Sequence, residues 1–115
     1  MTVRILHNPR CSKSRATLAL LRERGIEPEI SLYLESPPSA RELKSILLKL
    51  GLQARQLLRT GEAAYSELNL DRKDCSENQL IAAMSAHPEL IQRPIVLAGN
   101  RAAVGRPPES VLDII

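Results

Sequence analysis

Apolar positions recur along this chain with two periods, and the switches between them mark out the elements. Residues 2–7 (Thr-Val-Arg-Ile-Leu-His) alternate, with Val3 and Ile5 on one face, and predict a strand. Asn8-Pro9 breaks it. From about Ser12 to Arg24 the near-continuous set Ala16, Leu18, Ala19, Leu20 and Leu21 predicts a helix packed on a sheet, stopped by Gly25. Residues 27–34 read as a second strand carrying Ile30, Leu32 and Leu34. A β-α-β opening implies a parallel strand pair joined by a right-handed crossover.

The middle of the chain, about 36–89, reads as helical throughout. After the breaker Ser36-Pro37-Pro38, Ser39 and Glu42 form a capping box ahead of Leu43, Ile46, Leu47 and Leu50, an i, i+3, i+4, i+7 stripe ending at Gly51. Short helices are expected over 54–58 and 61–68. A second box, Ser76 with Gln79, opens a helix that runs to about His87 and stops at Pro88. Pro94-Ile95-Val96-Leu97 then predicts a strand, Gly99-Asn100 a tight hairpin turn, and Ala102-Ala103-Val104 the returning strand. Pro107-Pro108 leads into a terminal helix. With the insertion set aside, this order describes one α/β domain of thioredoxin-like (glutaredoxin-like) type, a mixed four-stranded sheet with an inserted helical subdomain.

Composition narrows the function. The chain has 115 residues, 43% hydrophobic and 25% charged, which suits a single globular domain. Aromatic residues amount to 2%, only Tyr33 and Tyr65, so the base-stacking platforms of single-strand nucleic-acid binders are missing. No apolar run is long enough to span a membrane, and the N-terminus carries no signal-peptide pattern; a cytoplasmic monomer is expected. The net charge of +3 is uneven, with residues 1–25 at +5 and the remainder at −2, and the basic end suits an anion. Cys11, Cys75, His7 and His87 follow no metal-ligand spacing, so no metal site is expected.

Chemistry concentrates at Cys11. It lies where the first strand hands over to the first helix, so that helix N–H groups and the positive dipole end face the sulfur. Arg10, Lys13 and Arg15 surround it in sequence, and the spacing does not say which faces the thiol. Such settings favour a thiolate nucleophile at neutral pH. His7, with Ser14 a candidate substrate-binding residue, is placed either to orient and polarise the thiol or as a structural group. Ser14, at i+3, is placed to donate to the sulfur or to a bound oxyanion, and it stands where a dithiol motif would have its second cysteine. Any redox cycle therefore needs an external thiol. Cys75 reads as an incidental thiol, and His87 as a complement to a helix C-terminus.

The segment His7-Asn8-Pro9-Arg10-Cys11-Ser12-Lys13-Ser14-Arg15 resembles the active-site pattern HNPxCxxSR of the glutaredoxin-linked ArsC-type arsenate reductases. The likeness continues through Tyr33-Leu34-Glu35-Ser36-Pro37-Pro38, Leu57-Leu58-Arg59, Tyr65-Ser66-Glu67-Leu68, Arg93-Pro94-Ile95-Val96, Arg106-Pro107 and the closing Val111-Leu112-Asp113-Ile114-Ile115. Ser12-Lys13 departs from the Gly-Thr of the best-known members, at no catalytic position. The resemblance implies Cys11 as catalytic nucleophile, Arg59, Arg93 and Arg106 as anion-binding arginines, and a cis Arg93-Pro94 peptide. It implies arsenate as substrate, no bound cofactor, glutathione as external reductant and glutaredoxin as protein partner. Two other functions fit the same fold: an Spx-like regulator binding RNA polymerase, which Ser14 in place of a second cysteine disfavours, and a general glutaredoxin-like thiol transferase.

Overall fold

The computed structural model describes residues 2–115, which divide into two compact units, 2–36 with 93–115 and 37–92. In the first unit, β1 (Val3–Leu6), α1 (Ser12–Glu23), β2 (Glu29–Ser31), β3 (Ile95–Ala98) and β4 (Arg101–Val104) form a mixed sheet of order β2-β1-β3-β4. β1 pairs parallel with β2 and antiparallel with β3, and β3 pairs antiparallel with β4. This is the mixed four-stranded α/β arrangement expected from the sequence.

One face of the sheet carries the core of this unit. The antiparallel register puts Val3 opposite Ala98 and Ile5 opposite Val96. Alternation sends all four to the same side, where they pack with Leu18 and Leu21 of α1 and with Val111 and Ile114. The buried stripe of α1 is Ser14, Thr17, Leu18 and Leu21, an ideal helical stripe whose first two members are polar. Both are fully buried.

Two elements differ from the sequence expectation. β2 is only three residues long, because Leu32 turns the chain by accepting from the amides of Glu35 and Ser36. Ile30, Leu32 and Leu34 are consequently exposed. The terminal segment Pro108–Ile114 is a 3-10 helix rather than an α-helix. Pro107 and Pro108 lack amide donors, and the Ser110 amide closes on the Pro107 carbonyl at i→i+3. Val111 and Ile114, both buried, then line up because side chains three apart eclipse in this geometry.

The second unit is helical: α2 (Ala40–Leu50), α3 (Ala54–Leu57), α4 (Ala63–Glu67), α5 (Glu77–Ala86) and a 3-10 turn at Pro88–Leu90. Both expected capping boxes form, Ser39 with Glu42 and Ser76 with Gln79, and Gly51 closes α2 at a left-handed φ of 69°. α2 and α3 pack on α5, burying Leu43, Ile46, Leu47, Leu57, Leu80, Ile81 and Met84. Glu77 also accepts from the Ala54 amide at 2.8 Å and so caps α3. No helix among the described residues is long and apolar enough to cross a membrane.

Candidate active site

The loop between β1 and α1 is held by one asparagine and one serine. Asn8 Oδ1 accepts from the Arg10 amide at 3.0 Å, an Asx-type turn, while the Asn8 carbonyl accepts from the Cys11 amide at 3.0 Å. The Asn8 amide in turn donates to Ser14 Oγ at 3.0 Å. Ser14 Oγ also lies 2.6 Å from His7 Nδ1 in a hydrogen bond whose direction the ring's tautomer sets. The loop is thus tied to β1 through His7 and to α1 through Ser14. Burial, with the positive charges of Arg22 and Arg15, lowers the His7 pKa from its ordinary value, and the ring is neutral at neutral pH.

These bonds make Cys11 the N-cap of α1, with an extended backbone and a residue exposure of 8%. It forms no short cap bond; the amides of Lys13 and Ser14 act on the sulfur as electrostatic donors. Burial alone pushes the thiol pKa up. The Ser14 amide, the hydrogen bond and charge of Arg93, and the Lys13 amide outweigh it, and the net pKa lies below the ordinary thiol value. Arg106 adds Nη2 at 3.8 Å from Cys11 Sγ. Arg106 Nε donates to the Arg93 carbonyl at 2.8 Å, which locks the two arginines together.

The hairpin explains why these two arginines meet. β3 and β4 pair Ile95 with Val104 and Ala98 with Arg101 around the Gly99-Asn100 turn. Gly99 takes the positive φ of 63° that suits the first position of a tight hairpin turn. The ladder runs one residue further, the Gly105 amide donating to the Pro94 carbonyl at 2.9 Å. Arg93 and Arg106 stand just beyond that bond, where the Arg106 amide turns back to donate to the Val104 carbonyl at 2.9 Å. Both are followed by cis prolines, Pro94 as expected and Pro107 in addition.

The sheet unit thus brings together Cys11, His7, Ser14, Arg93 and Arg106. The Ser14 hydroxyl, expected to serve the sulfur or an oxyanion, is instead spent on Asn8 and His7; the Ser14 amide faces the sulfur. His7 is 6% exposed and bonded to Ser14, so the pair braces the loop. Arg59 lies in the helical unit, where its amide donates to the Leu90 carbonyl at 2.7 Å and its Nε lies 3.3 Å from Glu62 Oε1. Sequence reading missed Asn8 as a loop brace, although an Asn two residues before an ordered amide is an Asx-turn signal. It also missed Thr17, which a 3.6-residue count from Leu21 would have placed on the buried stripe.

Residues 6–114 match the ArsC family. An arsenate reductase of Haemophilus influenzae is 53% identical over 116 residues, with 100% of both chains covered. The Escherichia coli K12 protein YfgD, described as uncharacterized, is 54% identical over 98% of this chain and 96% of its own. Among solved structures, an arsenate reductase from Vibrio cholerae superposes with a TM-score of 0.98 at 52% identity, covering 100% of this chain and 98% of that one.

Proposed function

We propose that this chain, which belongs to the ArsC family, is an arsenate reductase whose nucleophile is the Cys11 thiolate. The observation that carries this reading is the set of donors converging on one sulfur: two amides at a helix start and the guanidinium groups of Arg93 and Arg106. Arsenate is a negatively charged tetrahedral oxyanion, and a thiolate approaching it needs compensating cations. Arginine supplies permanent charge and forked donors that match oxyanion oxygens. Fixed donors act most strongly as charge moves onto oxygen and a leaving hydroxide in the transition state. Arg59, which the family pattern pairs with Arg93 and Arg106, is proposed as the third anion-binding arginine.

In the proposed cycle the Cys11 sulfur attacks arsenic, an As–O bond breaks, and water leaves after protonation, giving a Cys-S-arsenate adduct. Glutathione attacks this adduct, and glutaredoxin resolves the resulting mixed disulfide. Two thiols are oxidised to one disulfide, As(V) is reduced to As(III), and arsenite leaves. Ser14 at the second position of the motif means that the chain itself has no resolving thiol there. A cytoplasmic setting, with reduced glutathione at hand, suits this chemistry.

Purified protein supplied with arsenate, glutathione and glutaredoxin is expected to form arsenite, with Cys11→Ser as the control. Arsenite no faster than in that control would overturn the reading. Arg59→Ala is expected to lose about tenfold or more in turnover, as for removal of a charge-assisted donor, while the Cys11 titration stays in place. Turnover of glutathione mixed disulfides with no dependence on arsenate would favour a thiol transferase instead.

A further inference from the structure

Gly105 is unlike the other glycines that were spared a side chain. At Gly25 and Gly51 a positive φ accounts for glycine, and a Cβ there or at Gly61 would meet nothing within 4 Å. Gly105 has no left-handed backbone, yet a Cβ on it would stand 2.5 Å from Thr17 Oγ1, 2.8 Å from Pro94 Cγ and 3.2 Å from Pro94 Cδ. Neither neighbour yields easily. Thr17 is fully buried, and its hydroxyl donates to the Lys13 carbonyl at 2.8 Å in the first turn of α1. Pro94 is buried, and its carbonyl holds the Gly105 amide. The open end of the hairpin therefore rests on α1 at a separation that only a missing side chain permits.

The groups that serve the sulfur adjoin this contact along the chain. Arg93 precedes Pro94 and Arg106 follows Gly105, while Lys13 and Ser14 supply their amides from the turn that Thr17 braces. We propose that Gly105, seated against Thr17 and Pro94, is a spacer that sets the distance between the Arg93–Arg106 pair and the Cys11 sulfur. It is a positioning residue and touches no substrate. The inference rests on the reading of Cys11 as a nucleophile served by these two arginines. Its sensitivity comes from the 3.8 Å contact of Arg106, already long for a hydrogen bond. A displacement of about 1 Å, enough elsewhere to cost a hundredfold in rate, would end it.

The test uses the full chain with Cys75→Ser, so that one thiol reports, and measures the pH midpoint of iodoacetamide alkylation at Cys11. Gly105→Ala is expected to raise the midpoint by about one unit, leaving roughly tenfold less thiolate at lower pH. Gly105→Ala with Thr17→Ala removes the shortest contact but keeps that with Pro94, and is expected to fall between Gly105→Ala and Thr17→Ala. In an Arg93→Ala, Arg106→Ala background, Gly105→Ala is expected to add no further shift, because the groups it positions are gone. A folded Gly105→Ala protein with an unmoved midpoint overturns the proposal, as does a full shift in the background lacking both arginines. Where Gly105→Ala fails to fold, the double variant is compared with Thr17→Ala, and equal midpoints overturn it. No arsenate enters the measurement, so a failed arsenite assay with these shifts intact would sink the proposed function and spare the spacer.

Discussion

Two Cys-Ser pairs begin helices in this protein, and one residue of offset separates their surroundings. At α1 the first helical bond runs from the Arg15 amide to the Cys11 carbonyl, so Cys11 is the N-cap and its sulfur faces the amides of Lys13 and Ser14. At α5 the first bond runs from the Leu80 amide to the Ser76 carbonyl. Ser76 is the N-cap there, its hydroxyl takes the Gln79 amide at 3.1 Å, and Cys75 is left outside the helix. Both sulfurs have an arginine Nη2 at 3.8 Å. Beside Cys75, however, that arginine is Arg72, which also faces Asp74, and the Cys75 sulfur donates to the Asn69 carbonyl. A cation next to sulfur thus does not by itself distinguish Cys11 from Cys75. Helix register and a second guanidinium make the difference at Cys11, because only the N-cap side chain reaches the N2 and N3 amides.

The largest expected effect breaks the symmetry outright. Cys11→Ser should cut arsenate reduction at least about a thousandfold, as loss of a nucleophile does, and Cys75→Ser should leave it within about twofold. Next come the cations. Arg93→Ala is expected to raise the Cys11 alkylation midpoint by about one unit and Arg106→Ala by less, since Arg93 acts through both a hydrogen bond and its charge. Arg72→Ala should not move it.

A smaller effect concerns the brace under Cys11. The His7 pKa is lowered in the fold, so the unfolded chain binds more protons between the folded value and the ordinary 6.5. Its contribution is complete above that ordinary value, declines as pH falls below it, and levels off below the folded value. Melting temperatures measured from pH 8 to pH 5 should therefore fall more steeply for the natural chain than for His7→Gln; parallel curves would remove His7 as the source. Smallest of all, Cys75→Ser and Arg72→Ala should change unfolding free energy by no more than about 0.5 kcal/mol in denaturant titrations.

Much of the site was legible because local rules and tertiary need agree at these residues. Asn8-Pro9 ends β1, and that fixes where α1 starts and hence which atom caps it. The turn at Gly99-Asn100 pairs residues equidistant from it and brings the ends of β3 and β4 together, while Arg93 and Arg106 were marked by the family pattern and meet just beyond the ladder. Other features depend on space rather than pattern. Ile30, Leu32 and Leu34 alternate as a strand should, but the Leu32 turn cuts β2 short. Pro108, Val111 and Ile114 fit a period of three, which the prolines select over the α-helical period. The choice of His7 over Cys11 as partner for the Ser14 hydroxyl, and the room Gly105 leaves, are properties of packed neighbours that no spacing encodes.

The contact of Arg106 with Arg93 just beyond the β3–β4 ladder also makes the length of that hairpin a functional quantity. Surface loops ordinarily tolerate insertions. Here one extra residue in either arm would slip the ladder by a step and turn every later side chain to the opposite face. Arg106 would then point away from the sulfur although nothing near the sulfur had changed, so a lesion at the far tip of the sheet would read out as a dulled nucleophile.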